Sequence, residues 1–136
     1  MKLPDTYLAN LTPQQRVLQA KLIAKSQKEY KESGLVQERP KVSNKPSVRS
    51  NHVRKFQRKY NFPITDLKKV KALFVDTDVD GILSKGYAAY ASSGSRPNVS
   101  QHQWAYARLG SVLTGGNAYK VDKDLVGPKS RKLIFG

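Results

Sequence analysis

Apolar residues in this chain recur mainly every three or four positions, the spacing of an amphipathic helix, and no segment shows a convincing strand pattern. The first helical pattern follows Thr12, which suits an N-cap, and Pro13, which suits the first helical position. Gln15 completes a capping box with Thr12. The pattern fades near Tyr30, and Gly34 suits the end of a helix. Because its apolar face is thin, we expect this helix to need a partner surface, on its own domain or on another molecule.

Residues 39–65 form the next distinct segment, and they contain no acidic residue. Pro40 and Pro46, with Ser and Asn between them, predict an extended first part. The second part, residues 51–60, predicts a short basic helix. Its apolar stripe is formed by Val53, Phe56 and Tyr60.

Further helical patterns follow this segment. The first runs from Leu67 to Phe74, with Thr65 as its predicted N-cap. The second starts at Val79, and residues 92–98 after it form a turn by composition. These two patterns are the first helices of a predicted helical module.

The next helix opens with Ser100 and Gln103, which form a second capping box, and ends at Gly115 and Gly116. Residues 120–125 predict a short helix or a turn. The tail beyond them is basic, and no element is predicted for it.

These patterns predict a mainly α fold, a small helical module preceded by an N-terminal helix and an extended basic arm. At 136 residues, the chain suits one domain better than two. We expect an N-terminal helix plus extended basic arm in residues 1–60 and a compact helical module in residues 61–126. Residues 127–136 would then be a basic C-terminal tail.

The charge balance points to an acidic partner. The chain has 25 Lys and Arg against 10 Asp and Glu, a net charge of +15. Up to residue 60 there are 14 basic and 4 acidic residues (+10), and after it 11 and 6 (+5). Nucleic acid, an anionic membrane surface and an acidic protein lattice are the candidate partners. The predicted polyanion-binding residues are Arg39, Lys41, Lys45, Arg49, Arg54, Lys55, Arg58 and Lys59.

The sequence lacks the residues that most catalytic and metal-binding sites require. The chain has no Cys, and its two His are fifty positions apart. Residues 76–81 copy the opening of an EF-hand calcium loop, but Tyr87 stands where a bidentate Glu would be needed. We therefore predict that Asp78 or Asp80 caps the following helix. We predict no catalytic residue, no metal site and no cofactor, and hence a protein that is not an enzyme.

No apolar run is long enough to span a bilayer, and the start of the chain lacks a signal-peptide core.

Two glycine-containing stretches, residues 93–96 and 114–117, offer backbone N–H groups but lack the spacing of a phosphate-binding P-loop. Arg96 and Arg108 lie among small and apolar residues, which favours a paired role in packing, with a phosphate contact as the alternative. The aromatic residues of this region are predicted to lie in the core, with a base-stacking surface as the alternative. They are Tyr87, Tyr90, Trp104 and Tyr106.

The C-terminal half resembles an uncharacterised domain family encoded by large double-stranded DNA viruses, including algal and amoebal giant viruses, and by some phages. The resemblance rests on an SSGSRPN turn, an ARL…TGG stretch and a VD pair, and it extends to positions within residues 7–12, 25–31 and 52–53. Ala88 departs from the family pattern, which has Gly there. The matching positions are Lys85, Gly86, Ala89, Tyr90, 92–98, Trp104, 107–109, Ser111, 114–116, Ala118, Val121, Asp122 and Leu125.

The resemblance implies a virus-encoded protein and supplies no catalytic residues. The leading hypothesis is a virion structural protein, a minor capsid or cement component that stabilises the capsid shell through its arm and helical module. Its expected partners are the major capsid protein and other minor capsid proteins, with packaged DNA as a further partner, and its expected location is the virion capsid. The alternative is a non-specific nucleic-acid-binding protein for viral genome condensation or packaging.

Overall fold

A computed structural model describes residues 3–43 and 50–136, and within these ranges the chain is mainly helical, as predicted. The described ranges contain seven α-helices, two 3₁₀ turns at Asp5–Leu8 and Lys123–Leu125, and an isolated antiparallel bridge between Thr77 and Val126. The helices are α1 (Pro13–Ser33), α2 (Asn51–Tyr60), α3 (Leu67–Leu73), α4 (Val79–Ser92), α5 (Gln101–Leu113), α6 (Asn117–Asp122) and α7 (Pro128–Phe135).

Local capping determines several helix ends as the sequence predicts. The Thr12 hydroxyl accepts from the Gln15 backbone N–H, and the Gln15 side chain accepts from the Thr12 N–H, so the predicted capping box at the start of α1 is confirmed. Gly34 ends α1 in the left-handed conformation with φ of 73°. The same reciprocal bonds join Ser100 and Gln103 at the start of α5.

One prediction about a helix end was wrong, and one helix was not predicted. The N-cap of α3 is Asp66 rather than Thr65, because the Asp66 carboxylate accepts from the Lys69 backbone N–H at 3.3 Å. The basic tail, for which no element was predicted, forms α7. Pro128 begins it at a favourable position, but the side chain that caps its first turn comes from a distant part of the sequence, as shown below.

The described chain divides into two compact units whose boundaries differ from the predicted ones. Unit 1 combines Met1–Val48 with Tyr87–Trp104, and unit 2 combines Arg49–Gly86 with Ala105–Gly136. The N-terminal helix therefore belongs to a unit with the SSGSRPN turn, and the C-terminal tail belongs to a unit with α2 and α3. Hydrophobicity along the chain shows which faces become buried, but it does not show which segments bury them.

Unit 1 is built around the inner side of α1. Ile23 is fully buried and contacts the close-packed Gly94 of the SSGSRPN turn. The Ser26 hydroxyl donates to the Ala91 carbonyl at 3.4 Å, and the Gln19 amide donates to the Ser95 carbonyl at 3.4 Å. The thin apolar face of α1 thus finds its partner surface within its own unit, supplemented by polar bonds.

Unit 2 is built around an aromatic cluster. Phe56 of α2 is fully buried, and its ring lies 4.8 Å from Tyr60, 5.4 Å from Phe62 and 6.3 Å from Phe74, measured between ring centroids. A Cβ at Gly110 of α5 would lie 2.9 Å from a backbone carbonyl oxygen of α2, so only Gly permits this close approach of the two helices. One side of helix α2 is therefore packed against the aromatic cluster and α5.

Candidate nucleic-acid interface

The side of α2 opposite Phe56 carries three exposed cations, Arg54, Lys55 and Arg58, which we call the α2 basic face. Ser50 begins the helix by accepting from the His52 N–H at 3.2 Å, and Asn61 ends it in the left-handed conformation with φ of 63°. Because the helix is capped at both ends and anchored by the aromatic cluster, the three charges project from a rigid element.

Within the part of the chain that the structure describes, none of these three cations has a hydrogen-bonded or ion-paired partner. Five of the six carboxylates of unit 2 are occupied elsewhere, and the sixth, Asp124, is exposed and forms no salt bridge with α2 among the described residues. Asp66 and Asp80 face lysines of α3, Asp122 holds two cations in the interior, and Asp76 and Asp78 cap helices. The α2 basic face is consequently left to solvent or to an acidic partner.

Lys59, on the same helix, has a structural contact. Its ammonium group donates to the Ile134 carbonyl oxygen near the C-terminal end of α7, where a cation is electrostatically favourable. Beside it, the Tyr60 hydroxyl donates to the Leu113 carbonyl at 2.8 Å, and burial raises the pKa of Tyr60 to about 12. Lys59 and Tyr60 therefore attach α2 to α7 and α5.

Arg39 is engaged within unit 1. Its guanidinium lies over the Tyr90 ring, 3.7 Å from the centroid, and donates to the Tyr90 carbonyl at 2.8 Å. It also donates to the hydroxyls of Ser26 at 2.9 Å and Ser95 at 2.7 Å. Burial lowers the pKa of Arg39, and the nearby Tyr90, Glu38 and Tyr7 partly offset this effect. The Arg39 guanidinium therefore joins α1, α4 and the SSGSRPN turn. Few of its N–H groups remain available to a polyanion.

Residues 35–43 of unit 1, which we call the strap, have no regular secondary structure, and Arg39 attaches them to α1, α4 and the SSGSRPN turn of the same unit. Near its end, the Val42 N–H donates to the Asn98 side-chain oxygen at 3.0 Å, and the Asn98 amide donates to the Ser43 carbonyl at 3.1 Å. Of the part predicted to be extended, residues 39–43 have no regular secondary structure, and residues 44–49 lie outside the described ranges. The attachment of the strap to the chain's own SSGSRPN turn was not predicted.

The eight predicted polyanion-binding residues are therefore distributed among three situations. Arg54, Lys55 and Arg58 lie together and exposed, and Lys41 is exposed on the strap. Arg39 and Lys59 make the internal contacts described above. The other two, Lys45 and Arg49, lie outside the described residues.

Replacement of Arg39 by Lys is expected to destabilise the protein by about 2 kcal/mol, because Lys keeps the charge but cannot reproduce the stacked, multiply bonded guanidinium. Urea unfolding followed by circular dichroism measures the change. The neighbouring exposed Lys41→Gln is the control, and it should change stability by less than about 0.5 kcal/mol. Equal stabilities of R39K and K41Q would contradict the structural role of Arg39.

A cavity of about 410 Å³ lies in unit 1 between the strap and the start of α5. The Glu38 carboxylate at its edge accepts from the Gln101 backbone N–H at 3.0 Å and from the Tyr90 hydroxyl at 3.2 Å. The helix start is thus already occupied by an anion of the chain itself. The cavity lining is completed by Arg39, Lys41, Asn98, Val99, Ser100 and Gln103.

The carboxylates of the EF-hand-like sequence act as helix caps. Asp78 accepts from the Gly81 N–H at 3.0 Å, which confirms the predicted cap of α4. Asp76 caps α7 across a long stretch of sequence, accepting from the N–H groups of Lys129 at 2.8 Å and Ser130 at 3.0 Å. Its role could not be predicted, since no local pattern connects Asp76 with a helix that starts fifty residues later.

The contribution of Asp76 to stability is expected to depend on pH. Hydrogen bonds from the Ser130 hydroxyl and from the Lys129 and Ser130 N–H groups lower the pKa of Asp76 in the folded protein. A carboxylate with a lowered folded pKa stabilises the fold above its unfolded pKa, about 3.9, and this contribution is lost as the pH falls through the folded value. Acid unfolding followed by far-ultraviolet circular dichroism should therefore show a shallower pH dependence for Asp76→Asn. Exposed Asp124→Asn is the control, and an unchanged acid transition in D76N would contradict the cap.

Asp122 is the buried acidic residue of unit 2. It is fully buried and accepts two bonds from Arg108, at 2.8 Å from Nε and 2.9 Å from a terminal nitrogen, while the Lys85 ammonium lies 3.5 Å away. Burial alone would raise the pKa of Asp122, but the Arg108 guanidinium and the Lys85 charge hold it below its ordinary value. The paired role predicted for Arg108 is confirmed, whereas Arg96 is exposed.

These three residues come from three of the motifs that carry the family resemblance, the KG, ARL and VD positions. A family model described as a family of unknown function, DUF5824, matches residues 4–126. The chain belongs to this family. Among curated proteins and among solved structures, nothing matches the chain. The KG, ARL and VD positions of this chain thus meet in an ion-pair cluster around the buried Asp122, and the SSGSRPN turn receives the strap.

No helix in the described ranges is long and apolar enough to cross a membrane. Across residues 3–43 and 50–136, no group of three or more His, Asp or Glu side chains lies close enough to hold a metal ion. The exposed cations remain the main candidate site that the described side chains offer.

Proposed function

We propose that this protein binds the phosphate backbone of nucleic acid non-specifically, without catalysis, and serves in condensation or packaging of a viral genome. The observation that carries the proposal is the α2 basic face, whose three cations are exposed, rigidly presented and unmatched by acids in the described chain. The guanidinium groups of Arg54 and Arg58 lie one helical turn apart and suit bidentate contacts with phosphate oxygens.

The expected affinity depends strongly on salt. Each phosphate neutralised by a Lys or Arg contributes about −0.9 to the slope of log affinity against log salt concentration for duplex DNA. Three contacts from the α2 basic face give a slope of about −2.7, or a loss of about fortyfold in affinity between about 50 mM and 200 mM salt.

Contacts of this kind position a protein on a duplex but do not read its bases. Of the four aromatic side chains that could form a stacking surface for single strands, Tyr90 and Trp104 are engaged in packing, and Tyr87 and Tyr106 are half-buried. Tyr90 is fully buried beneath Arg39, and Trp104 packs edge-on against Tyr7. This arrangement favours a duplex over a single strand as the partner.

An electrophoretic mobility shift with duplex DNA of two unrelated sequences tests the proposal. We expect equal binding to both sequences at about 50 mM salt and weak binding at about 200 mM. Polyglutamate serves as a competitor control for charge without phosphate. Absence of any shift at the lower salt concentration would overturn the proposal.

A minor capsid or cement component is the second candidate. The observation that favours it is the exposure of large apolar side chains of unit 2, among them Val121 at 66%, Val75 at 65% and Phe135 at 60%. A phosphate backbone provides little apolar surface against which such side chains could pack, whereas a protein lattice can bury them. Mass spectrometry of purified particles, with cross-linking to the major capsid protein, tests this candidate. It would be wrong if the particles lack the protein.

A further inference from the structure

The outer side of α1 carries a second row of cations. Lys21, Lys25 and Lys28 are exposed, and at 100° per residue they fall within an arc of about 60° on the helix surface. We call them the α1 lysine face. Each lies about one helical turn from the next, as Arg54 and Arg58 do on α2.

The opposite side of α1 is attached to unit 1 by its buried residues, Gln19, Ile23 and Ser26. This attachment determines which side of the helix faces outward. The capping box at Thr12 and the left-handed Gly34 define both ends of the helix. The lysines are therefore displayed on a supported helix, as the cations of α2 are.

Two acidic residues of α1 lie near this row, Glu29 beside Lys25 and the exposed Glu32 about one turn beyond Lys28, and neither forms a salt bridge with Lys21 or Lys28 among the described residues. Glu29 lies 3.7 Å from Lys25, but both side chains are exposed, and such a pair contributes little. Lys21 and Lys28 have no ion pair among the residues that the structure describes. By sequence, unit 1 contains 10 basic and 4 acidic residues, a surplus of +6, and unit 2 contains 15 and 6, a surplus of +9. Each unit thus has a cationic surplus of its own.

We propose that the α1 lysine face is a second phosphate-binding surface and that, through its two faces, the protein links two DNA duplexes. This inference rests on the proposed function and specifies how the protein would condense a genome. Once one face holds a duplex, a second duplex that contacts the other face is held with it, and many such links compact the DNA.

A bridging assay tests the inference with the full chain. One duplex is attached to beads, and a second, fluorescent duplex is captured only if the protein links the two. Direct binding to a single duplex is measured in parallel by fluorescence anisotropy. The variants are K21Q/K25Q/K28Q and, as a matched control that removes the same charge from exposed positions elsewhere, K68Q/K120Q/K123Q.

We expect the wild type and the control to capture the second duplex. The K21Q/K25Q/K28Q variant should capture about tenfold less while keeping most of its affinity for a single duplex, since the α2 basic face remains. A variant that bridges as well as the control overturns the inference, and so does a wild-type protein that binds one duplex but captures no second one. A wild-type protein that binds no duplex at all overturns the proposed function itself. Circular dichroism confirms that the variants are folded.

Discussion

Replacing Arg54, Lys55 and Arg58 together by Gln is expected to lower the affinity for duplex DNA at least tenfold at about 100 mM salt, because three phosphate contacts are lost. The salt dependence should change with it, and the slope of log affinity against log salt concentration should become shallower by about 2.7. Stability should change by less than about 0.5 kcal/mol, since the three side chains are exposed and lack partners within the described residues. Fluorescence anisotropy over a series of salt concentrations measures both effects.

The control is K68Q/K120Q/K123Q, which removes three exposed positive charges from other helices and turns of unit 2. A general effect of net charge would weaken binding equally in both variants. If DNA binds specifically to the α2 basic face, binding should weaken only in the variant that lacks Arg54, Lys55 and Arg58. Equal loss in the two variants would show that no particular face binds DNA, and the α2 basic face would then have to be abandoned as the site.

Asp122→Asn is expected to reduce the free energy of unfolding by about 3 kcal/mol, because it leaves the half-buried Arg108 guanidinium without its countercharge. Lys85 then faces Arg108 with no carboxylate between them. The melting temperature should fall by roughly 10 °C for a chain of this size. Chemical and thermal unfolding, each followed by circular dichroism, provide the two measurements.

Asp124→Asn provides the comparison, since it removes the same charge two residues away from an exposed position. Its free energy of unfolding should stay within about 0.5 kcal/mol of the wild-type value. Equal effects of D122N and D124N would mean that the pair with Arg108 contributes no more than an ordinary surface charge. DNA affinity, measured on the folded variants, should be similar for both.

These two experiments separate two uses of charge within one basic chain. Arg39, Lys59 and Arg108 make internal contacts with carbonyls, hydroxyls and a buried carboxylate. The cations of the α2 basic face make none in the described chain. Net charge alone therefore overstates the number of residues that an external polyanion can reach.

Most of the helices could be predicted from sequence because their determinants are local. A capping box needs residues three apart, and the apolar stripe of α2 needs residues three and four apart, so both are visible in a short window. The prediction of α2 at residues 51–60 is confirmed by the structure, as is the burial of Phe56. Helix α7 was missed because its cap, Asp76, lies more than fifty residues upstream.

The sequence by itself determined the helical class of this protein, the ends of α1, α2 and α5, and a surplus of positive charge concentrated before residue 60. Only the tertiary structure decided which charges remain available. Arg39 and Arg54 are the same residue type within one acid-free segment, yet Arg39 lies over the Tyr90 ring and Arg54 is exposed. The reason is physical: a guanidinium is either bonded internally or free according to the carbonyls, hydroxyls and rings that distant segments bring to it, and those segments meet only in the folded chain.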